Sequence, residues 1–213
     1  DAMGVANRII QRDANGAWDD MDTGADGTVW SLAVAANGDV YAGGAFHNIG
    51  GIPADHIAMW DVSAGVWIAL GTGCTQPVDD LAISADGTLY AVSSAFGNFG
   101  AGAHNSIAKW AGGAWSAVGA AAPNSFLHCV AIDWAGNIYA AGQFSNIGGV
   151  GCNRIAVYNG ATWAPLAGGI TSGKVNDMAF TQSGHLYVVG SFLNVDGNVW
   201  RKTAMWDGTW HQV

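Results

Sequence analysis

Several residue types are scarce in this chain, and each scarcity narrows the range of functions. Glutamate is absent, so the 16 acidic residues are all aspartate, and only seven lysine and arginine residues oppose them. The formal net charge of −9 argues against nucleic acid and anionic lipid as partners, because affinity for both depends on clustered cations. No apolar run approaches the roughly 20 residues that a membrane-spanning helix needs, so membrane insertion is not expected.

Cysteine and proline are scarce as well. The three cysteines, Cys74, Cys129 and Cys152, show no CxxC spacing, which argues against a zinc site. Four prolines stand against 32 glycines, and 50% of the residues are hydrophobic while only 11% are charged. This balance is typical of a turn-rich all-β protein with many short strands. The low proportion of charged residues and the many small residues favour an extracellular or cell-surface location.

The sequence is built on a repeat of about 48 residues. Each copy contains an apolar segment, a tight turn, a second apolar segment with a tyrosine, a long loop, a third segment of the Ile-Ala-x-Trp type and a short fourth segment that opens with tryptophan. The tyrosines follow one another in steps of 49, 49 and 48 residues: Tyr41, Tyr90, Tyr139 and Tyr187. A period of this length with four strand-like segments per copy predicts a β-propeller or a related β array.

The repeat also predicts the organisation of the chain as one domain over residues 1–213. A half repeat (1–28) precedes four complete repeats at about 29–77, 78–126, 127–174 and 175–213. The segment from Gly4 to Ile9 resembles the segment from Val150 to Ile155, and Trp18 precedes Trp67 by 49 residues. The half repeat should therefore form only the last two strands of a blade, at about residues 8–13 and 17–21.

A half repeat has consequences for assembly. It leaves a strand edge unpaired, and such edges favour association with another strand. The sequence therefore predicts a homo-oligomer, or a place within a longer chain, through this half repeat. The first residue is Asp1 and not Met, which suggests a processed precursor or a segment of a longer protein.

The first complete repeat shows the motif most clearly. Gly43-Gly44 closes the second segment, Trp60 lies in the third and Trp67 opens the fourth. This order resembles the blades of kelch-type β-propellers, and especially the propeller repeats of bacterial and fungal surface proteins. The resemblance covers essentially the whole chain and implies an all-β propeller of four-stranded antiparallel blades. It says little about function, because such scaffolds host enzymes, lectins and protein-binding modules.

Tryptophan offers the first candidates for binding. Most of the eleven tryptophans, Trp18 among them, stand at repeat positions that other copies also fill with an aromatic residue, so they are expected in the core. Trp30, Trp134 and Trp200 have no aromatic counterpart in the other copies. They are expected at the head of an inner strand, in a hairpin turn and in a surface loop, where each either binds a ligand such as a glycan or packs against its loop.

A second set of candidates begins the first strand of each repeat. In a propeller these positions converge around the mouth of the axial channel, and here they are Trp30-Ser31, Asp79-Asp80, His128-Cys129 and Asn176-Asp177. His128 is a candidate for ligand binding. Oxygen-bearing side chains are the ligands that Ca²⁺ prefers, so this rim could hold a calcium ion through Asp79, Asp80, Asn176 and Asp177. Alternatively, these side chains solvate the channel entrance and cap loop amides.

Catalysis finds little support in the sequence, and no catalytic residue is assigned. His128 and Cys129 are adjacent on a predicted strand and therefore point to opposite faces. A carboxylate pair of the glycosidase type is conceivable from Asp79, Asp80 and Asp177. We therefore favour a non-catalytic extracellular binding or assembly module, with protein contacts or self-assembly ahead of glycan binding. The alternative is a hydrolase or lyase that acts on polysaccharide at the channel mouth.

Overall fold

The computed structural model describes residues 8–12, 15–102, 106–119 and 122–213. All regular structure in these residues is β-strand, and they contain no helix long and apolar enough to cross a membrane. The first two strands, β1 (Gln11–Arg12) and β2 (Trp18–Asp19), form an antiparallel pair, which we call the N-terminal hairpin. Residues 1–7, 13 and 14 of the predicted half repeat lie outside the described part of the chain.

Four antiparallel four-stranded sheets follow, each with its strands in chain order and each within one predicted repeat. Sheet one contains β3 (Val29–Val34), β4 (Val40–Gly44), β7 (Ile57–Asp61) and β8 (Val66–Ala69). Sheet two contains β9 (Asp80–Ile83), β10 (Leu89–Val92), β11 (Ile107–Ala111) and β12 (Ala114–Ala117). Sheet three contains β13 (Leu127–Ile132), β14 (Ile138–Gly142), β17 (Ile155–Tyr158) and β18 (Trp163–Pro165). Sheet four contains β19 (Val175–Phe180), β20 (Leu186–Gly190), β21 (Thr203–Trp206) and β22 (Trp210–Gln212).

Two short strand pairs decorate the loops between the second and third strands of a sheet. They are β5 (Asn48–Ile49) with β6 (Ile52–Pro53) in the first complete repeat, and β15 (Asn146–Ile147) with β16 (Val150–Gly151) in the third, and each pair forms a two-stranded sheet of its own.

The tight turns between the first two strands of each sheet follow from glycine at one position. In sheet one Gly38 has φ of 94°, and its amide donates to the carbonyl of Ala35 over 2.9 Å. Glycine adopts positive φ without steric penalty, which is why Asn-Gly is a strong hairpin signal. The same turn position has positive φ in the other three sheets, at Gly87, Gly136 and Gly184. The turn that the sequence predicts is therefore present in all four repeats.

The sheets are arranged side by side around an axis. The innermost strand β3 contacts β9, β9 contacts β13, and β13 contacts β19. Buried apolar clusters fill the junctions between successive sheets, and a further cluster lies between the N-terminal hairpin and sheet one. This arrangement is a β-propeller of four-stranded antiparallel sheets, which confirms the predicted fold class.

In three of the four sheets, the tryptophan near the start of the fourth strand donates a hydrogen bond to the unit before it. The indole N–H of Trp115 donates to the carbonyl of Leu70 over 2.9 Å, and the indole N–H of Trp210 donates to the carbonyl of Leu166 over 3.1 Å. Trp67 does the same to Met21 of the N-terminal segment, at 2.9 Å. In sheet three the indole N–H of Trp163 is buried and has no hydrogen-bond partner among the described residues. The recurrence of this residue in the sequence thus reflects burial between neighbouring units, with a hydrogen bond in three of the four sheets.

Trp18 is an exception, and its expected burial is wrong. The side chain is 57% exposed, whereas its counterpart Trp67 is 5% exposed. Within the described residues no unit precedes the N-terminal hairpin, so the indole has no sheet to pack against. The guanidinium carbon of Arg12 lies 5.7 Å from the centroid of the Trp18 ring instead, in a cation–π contact.

Candidate functional site

The heads of the four innermost strands converge on one cleft, as the repeat register predicts. The cleft has a volume of about 290 Å³ and is lined by Trp30, Asp79, His128, Lys174 and Asn176. Each sheet contributes at least one of these side chains. Lys174, which precedes β19, brings a positive charge that the sequence reasoning did not include.

Local backbone irregularities place three of these side chains in the cleft. The pairing of the first two strands shifts register between Val29 and Ser31 in sheet one, and between equivalent residues in sheets three and four. Such a β-bulge inserts one extra residue and re-aims its side chain. The extra residues are those that line the cleft: Trp30, His128 and Asn176.

Glycine at the end of the second strand permits a close backbone contact beside these bulges. A Cβ on Gly44 would lie 2.1 Å from the carbonyl oxygen of Thr28, and a Cβ on Gly142 would lie 2.2 Å from that of Phe126. The residue after each glycine donates its amide to the same carbonyl, as Gln143 does to Phe126 over 2.8 Å. Sheet four repeats this arrangement with Gly190, Ser191 and Lys174.

In sheet two a side chain, and not a backbone carbonyl, accepts the amide at the equivalent position. Ser93 stands where the other sheets have glycine, so a carbonyl cannot approach as closely. The carboxylate of Asp79 accepts the Ser94 amide at 2.6 Å and the Ser94 hydroxyl at 2.9 Å. Asp79 therefore replaces the backbone acceptor that the other three sheets use.

Asp80 also has a structural role, because its carboxylate accepts hydrogen bonds from three sheets. Its carboxylate accepts the hydroxyl of Ser31 in sheet one at 2.9 Å, its neighbouring Leu81 amide at 2.8 Å and the Val130 amide in sheet three at 2.9 Å. Burial raises the pKa of Asp80. The three hydrogen bonds oppose this rise, and the charge of the nearby Asp177 adds to it. Asp177 accepts the amide of Met178 at 2.7 Å.

These bonds bear on the calcium hypothesis. Asp79 and Asn176 line the cleft, but Asp79, Asp80 and Asp177 all accept protein amides. The described residues contain no group of three or more His, Cys or Asp side chains arranged to hold a metal ion. The calcium site remains a prediction, and capping of backbone amides is the role that the geometry shows for the aspartates.

The surroundings of His128 favour its neutral form. Burial lowers its pKa, the charge of Lys174 lowers it further, and Asp79 acts in the opposite direction. Its Nε2 atom is buried and has no hydrogen-bond partner in the part of the chain that the structure describes. A buried polar atom without a partner costs free energy, so a bound water or ligand group at this point would be favoured.

An exposed aromatic pair extends from the cleft, and the sequence reasoning missed it. The rings of Phe96 and Phe126 lie 5.7 Å apart, and the Phe126 ring lies 6.4 Å from His128. Phe96 aligns with Phe46, Phe144 and Phe192, which are fully buried, yet it is exposed and has φ of 56°. The replacement of Gly-Gly by Ser93-Ser94 was the signal in the sequence that this copy differs.

The other two candidate tryptophans lie elsewhere. Trp134 is highly exposed in the turn after β13, at the opposite end of the channel, beside clefts of about 350 and 370 Å³ that Ile83 and Ile132 also line. Trp200 is partly buried against the apolar cluster between sheets three and four. Trp30 and Trp134 therefore belong to opposite ends of the propeller.

The geometry gives Cys129 no nucleophilic role. The thiol is buried between sheets, and burial raises its pKa well above the ordinary value. His128 lines the cleft while Cys129 packs in the core, so the two adjacent side chains point apart as predicted.

Comparison with known proteins bears on the fold. No protein-family model matches the chain, and no curated protein matches it in sequence. The extracellular domain of a protein from B. thetaiotaomicron gives a TM-score of 0.58 at 9% identity, over 99% of this chain and 25% of that chain. A gluconolactonase from Xanthomonas campestris gives 0.53 at 18% identity, over 87% of this chain and 63% of that chain. Virginiamycin B lyase from Staphylococcus aureus gives 0.50 at 16% identity, over 83% and 50%. The chain thus spans 25 to 63% of the length of these proteins, and its likeness to them shows a β-propeller fold.

Proposed function

We propose that this chain is a non-catalytic extracellular binding module of kelch-like repeats that recognises a protein or peptide partner at the channel mouth. The observation that carries the proposal is the exposed aromatic pair of Phe96 and Phe126 beside the polar cleft. We call the surface formed by Trp30, Phe96, Phe126, His128 and Lys174 the mouth surface.

The composition of the mouth surface suits a peptide-like partner. Aromatic residues are enriched at protein interfaces and dominate their binding energy. The cleft of about 290 Å³ lies at the small end of ligand pockets, so it accepts one side chain while the aromatic pair covers the neighbouring segment of the partner. The net charge of −9 favours a neutral or basic partner, since charge complementarity accelerates association.

The absence of catalysis is supported by the use of the aspartates. Asp79 and Asp80 hold backbone amides at the mouth, and the Cys129 thiol is buried. The low proportion of charged residues in the chain favours an extracellular location, and one structurally similar protein is an extracellular domain.

Selection from a random-peptide display library tests this function. Peptides selected on the parent protein should bind about tenfold or more weakly to the Phe126→Ala and Trp30→Ala variants, because an aromatic contact at an interface contributes more than about 1.4 kcal/mol. Val62→Ala, which removes an exposed side chain remote from the mouth surface, should bind them as the parent does. Peptides that bind all four proteins equally, or no enrichment at all, would contradict the proposal.

Glycan binding is the second candidate, because Trp30 lies beside side chains that donate and accept hydrogen bonds. A glycan array that shows saturable binding to the parent, lost in Trp30→Ala, would favour it. Loss in Trp134→Ala or Trp200→Ala would instead assign the glycan to another part of the propeller.

The enzymatic alternative depends on Asp80 and Asp177, which interact electrostatically while burial raises the pKa of Asp80. A polysaccharide hydrolase or lyase of this kind would lose turnover in Asp80→Asn and Asp177→Asn variants that stay folded. Parent protein that cleaves no polysaccharide would remove this alternative.

A further inference from the structure

The inner part of sheet one exposes apolar side chains that the other sheets bury. Leu32 on β3 is 53% exposed, whereas the equivalent residues of the next three sheets are 6%, 4% and 6% exposed: Leu81, Val130 and Met178. Val34, two residues further on the same face, is 65% exposed. An apolar strand face is normally covered, so this exposure identifies a vacant contact surface.

The internal junctions show what covers this face elsewhere. Leu81 belongs to the same buried cluster as Tyr41 of sheet one, and a Cβ added to Gly43 would lie 3.3 Å from the Leu81 side chain. Tyr41 and Gly43 both lie on β4. Ala33 on β3 packs against the same cluster, so the first two strands of one sheet cover the innermost strand of the next.

The N-terminal hairpin leaves Leu32 and Val34 on β3 uncovered, although its cluster reaches Ala42 on β4. Its flanking residues Ile9 and Met21 belong to the buried cluster that contains Ala58 and Trp67 on the two outer strands. Leu32 and Val34 do not belong to that cluster. The N-terminal hairpin corresponds to the third and fourth strands of a repeat. The described part of the chain contains no first and second strand beside it.

Sheet four exposes the complementary face. Val189 on β20 is 41% exposed, whereas the equivalent Val92 and Ala141 are fully buried against the following sheet. Tyr187 is 39% exposed, whereas Tyr41 is 9% exposed. Trp30 at the head of β3 and Asn176 on β19 line the same cleft, so the innermost strands of sheets one and four approach each other at the mouth. We call the space between these two exposed faces the notch.

We propose that the notch binds an antiparallel β-hairpin from another polypeptide. The side chains of this hairpin would alternate between small, aliphatic and aromatic types, as they do in the first two strands of each repeat of this chain. The surfaces on both sides continue an interface that the molecule already forms three times, and this continuity defines the occupant. The occupant has two strands because the N-terminal hairpin supplies two strands where every other sheet has four. Apolar burial and main-chain pairing would supply the affinity, as in other cases of strand addition.

A synthetic hairpin tests the proposal with the full chain. The probe is a fluorescently labelled peptide with the sequence of residues 29–44, which contains two inner strands and the Asn-Gly turn. It should bind the parent saturably. Leu32→Glu and Val34→Glu should each weaken binding about tenfold or more, because docking would bury an unpaired carboxylate. Both positions are exposed in the free protein, so the variants should fold.

Two controls make the result specific to the notch. Val66→Glu places the same charge on an exposed position of the outer strand β8 and should bind as the parent does. A peptide with glutamate at the positions of Ala33 and Tyr41 should fail to bind. No saturable binding to the parent, or equal binding to the Leu32→Glu and Val66→Glu variants, would overturn the proposal. A parent dimer that excludes the peptide and dissociates in Leu32→Glu would also overturn it, by assigning the notch to a second copy of the chain.

Discussion

The carboxylate of Asp79 does in sheet two what a backbone carbonyl does in the other three sheets. Glycine allows that carbonyl to approach in sheets one, three and four, and Ser93 blocks the approach in sheet two. The serine and the aspartate therefore depend on each other. They are distant in sequence but lie side by side in the sheet, because the Asp79 amide donates to the carbonyl of Val92, the residue before Ser93. A residue that could be taken for a metal ligand is explained by the shape of its neighbour.

This dependence predicts the effect of removing the carboxylate. Asp79→Ala should lower the free energy of unfolding by about 1–3 kcal/mol, because the Ser94 amide and hydroxyl lose a charged acceptor. The measurement is chemical denaturation of the parent and the variant. Adding Ser93→Gly to Asp79→Ala should recover part of the loss, since glycine again allows a carbonyl to approach. Strictly additive effects of the two substitutions would show that the serine and the aspartate are not coupled.

The residues that recur in every copy were the predictable ones. Tyr41 and Trp67 mark the period, and the register of the repeat was sufficient to bring Trp30, His128 and Asn176 to one mouth. Phe96 and Trp18 were not predictable in this way. The environment of Phe96 changes with the serines that precede it, and that of Trp18 depends on a neighbouring unit that the described residues do not contain. Position in a repeat determines a side chain's environment only when its neighbours also repeat.

Among the elements, the second strand of each sheet controls the shape of the mouth. The glycine at the end of β14 contacts the backbone just before β13, where the bulge places His128 in the cleft. The repeated apolar segments and the turns between them were enough to predict these strands. The bulge itself was not predictable, because the extra residues Trp30, His128 and Asn176 share no residue type and their place depends on the pairing of two strands.

Gly142→Ala should therefore disturb both stability and the mouth surface. Its Cβ would lie 2.2 Å from the Phe126 carbonyl oxygen and 3.1 Å from the His128 amide nitrogen, and both are backbone atoms that can move only with their strand. We expect a loss of about 2–3 kcal/mol in the free energy of unfolding, in the range of overpacked cores. Thermal or chemical denaturation measures the change.

Gly151→Ala is the matched control for this substitution. Gly151 lies in the short strand β16, in the loop between the second and third strands of the same repeat. It has no atom within 4 Å of an added Cβ and does not have positive φ. Its replacement should alter the free energy of unfolding by less than about 0.5 kcal/mol. Equal effects of the two substitutions would mean that the close contact at Gly142 does not constrain the fold.

On the scale of the whole molecule, stability is distributed over successive junctions. Each sheet contacts its neighbours through a separate apolar cluster, so the propeller resembles a row of units more than a single core. Sheets two and three are covered on both faces. Sheet four leaves Tyr187 and Val189 exposed on one face. The free energy of local opening should therefore differ among sheets whose strands have the same sequence pattern.

Hydrogen exchange measures this difference directly. Amides of β14, inside sheet three, should exchange about tenfold or more slowly than the equivalent amides of β20, inside sheet four, because opening β14 disrupts two apolar junctions whereas opening β20 disrupts one. The two strands make equivalent main-chain pairs, with β13 and β17 in one case and β19 and β21 in the other, so hydrogen bonding within the sheet is matched. Equal protection of β14 and β20 would indicate that the propeller opens as one cooperative unit. Slower exchange in β20 but not in β14 when the hairpin peptide is added would show that the exposed face of sheet four forms one wall of the occupied notch.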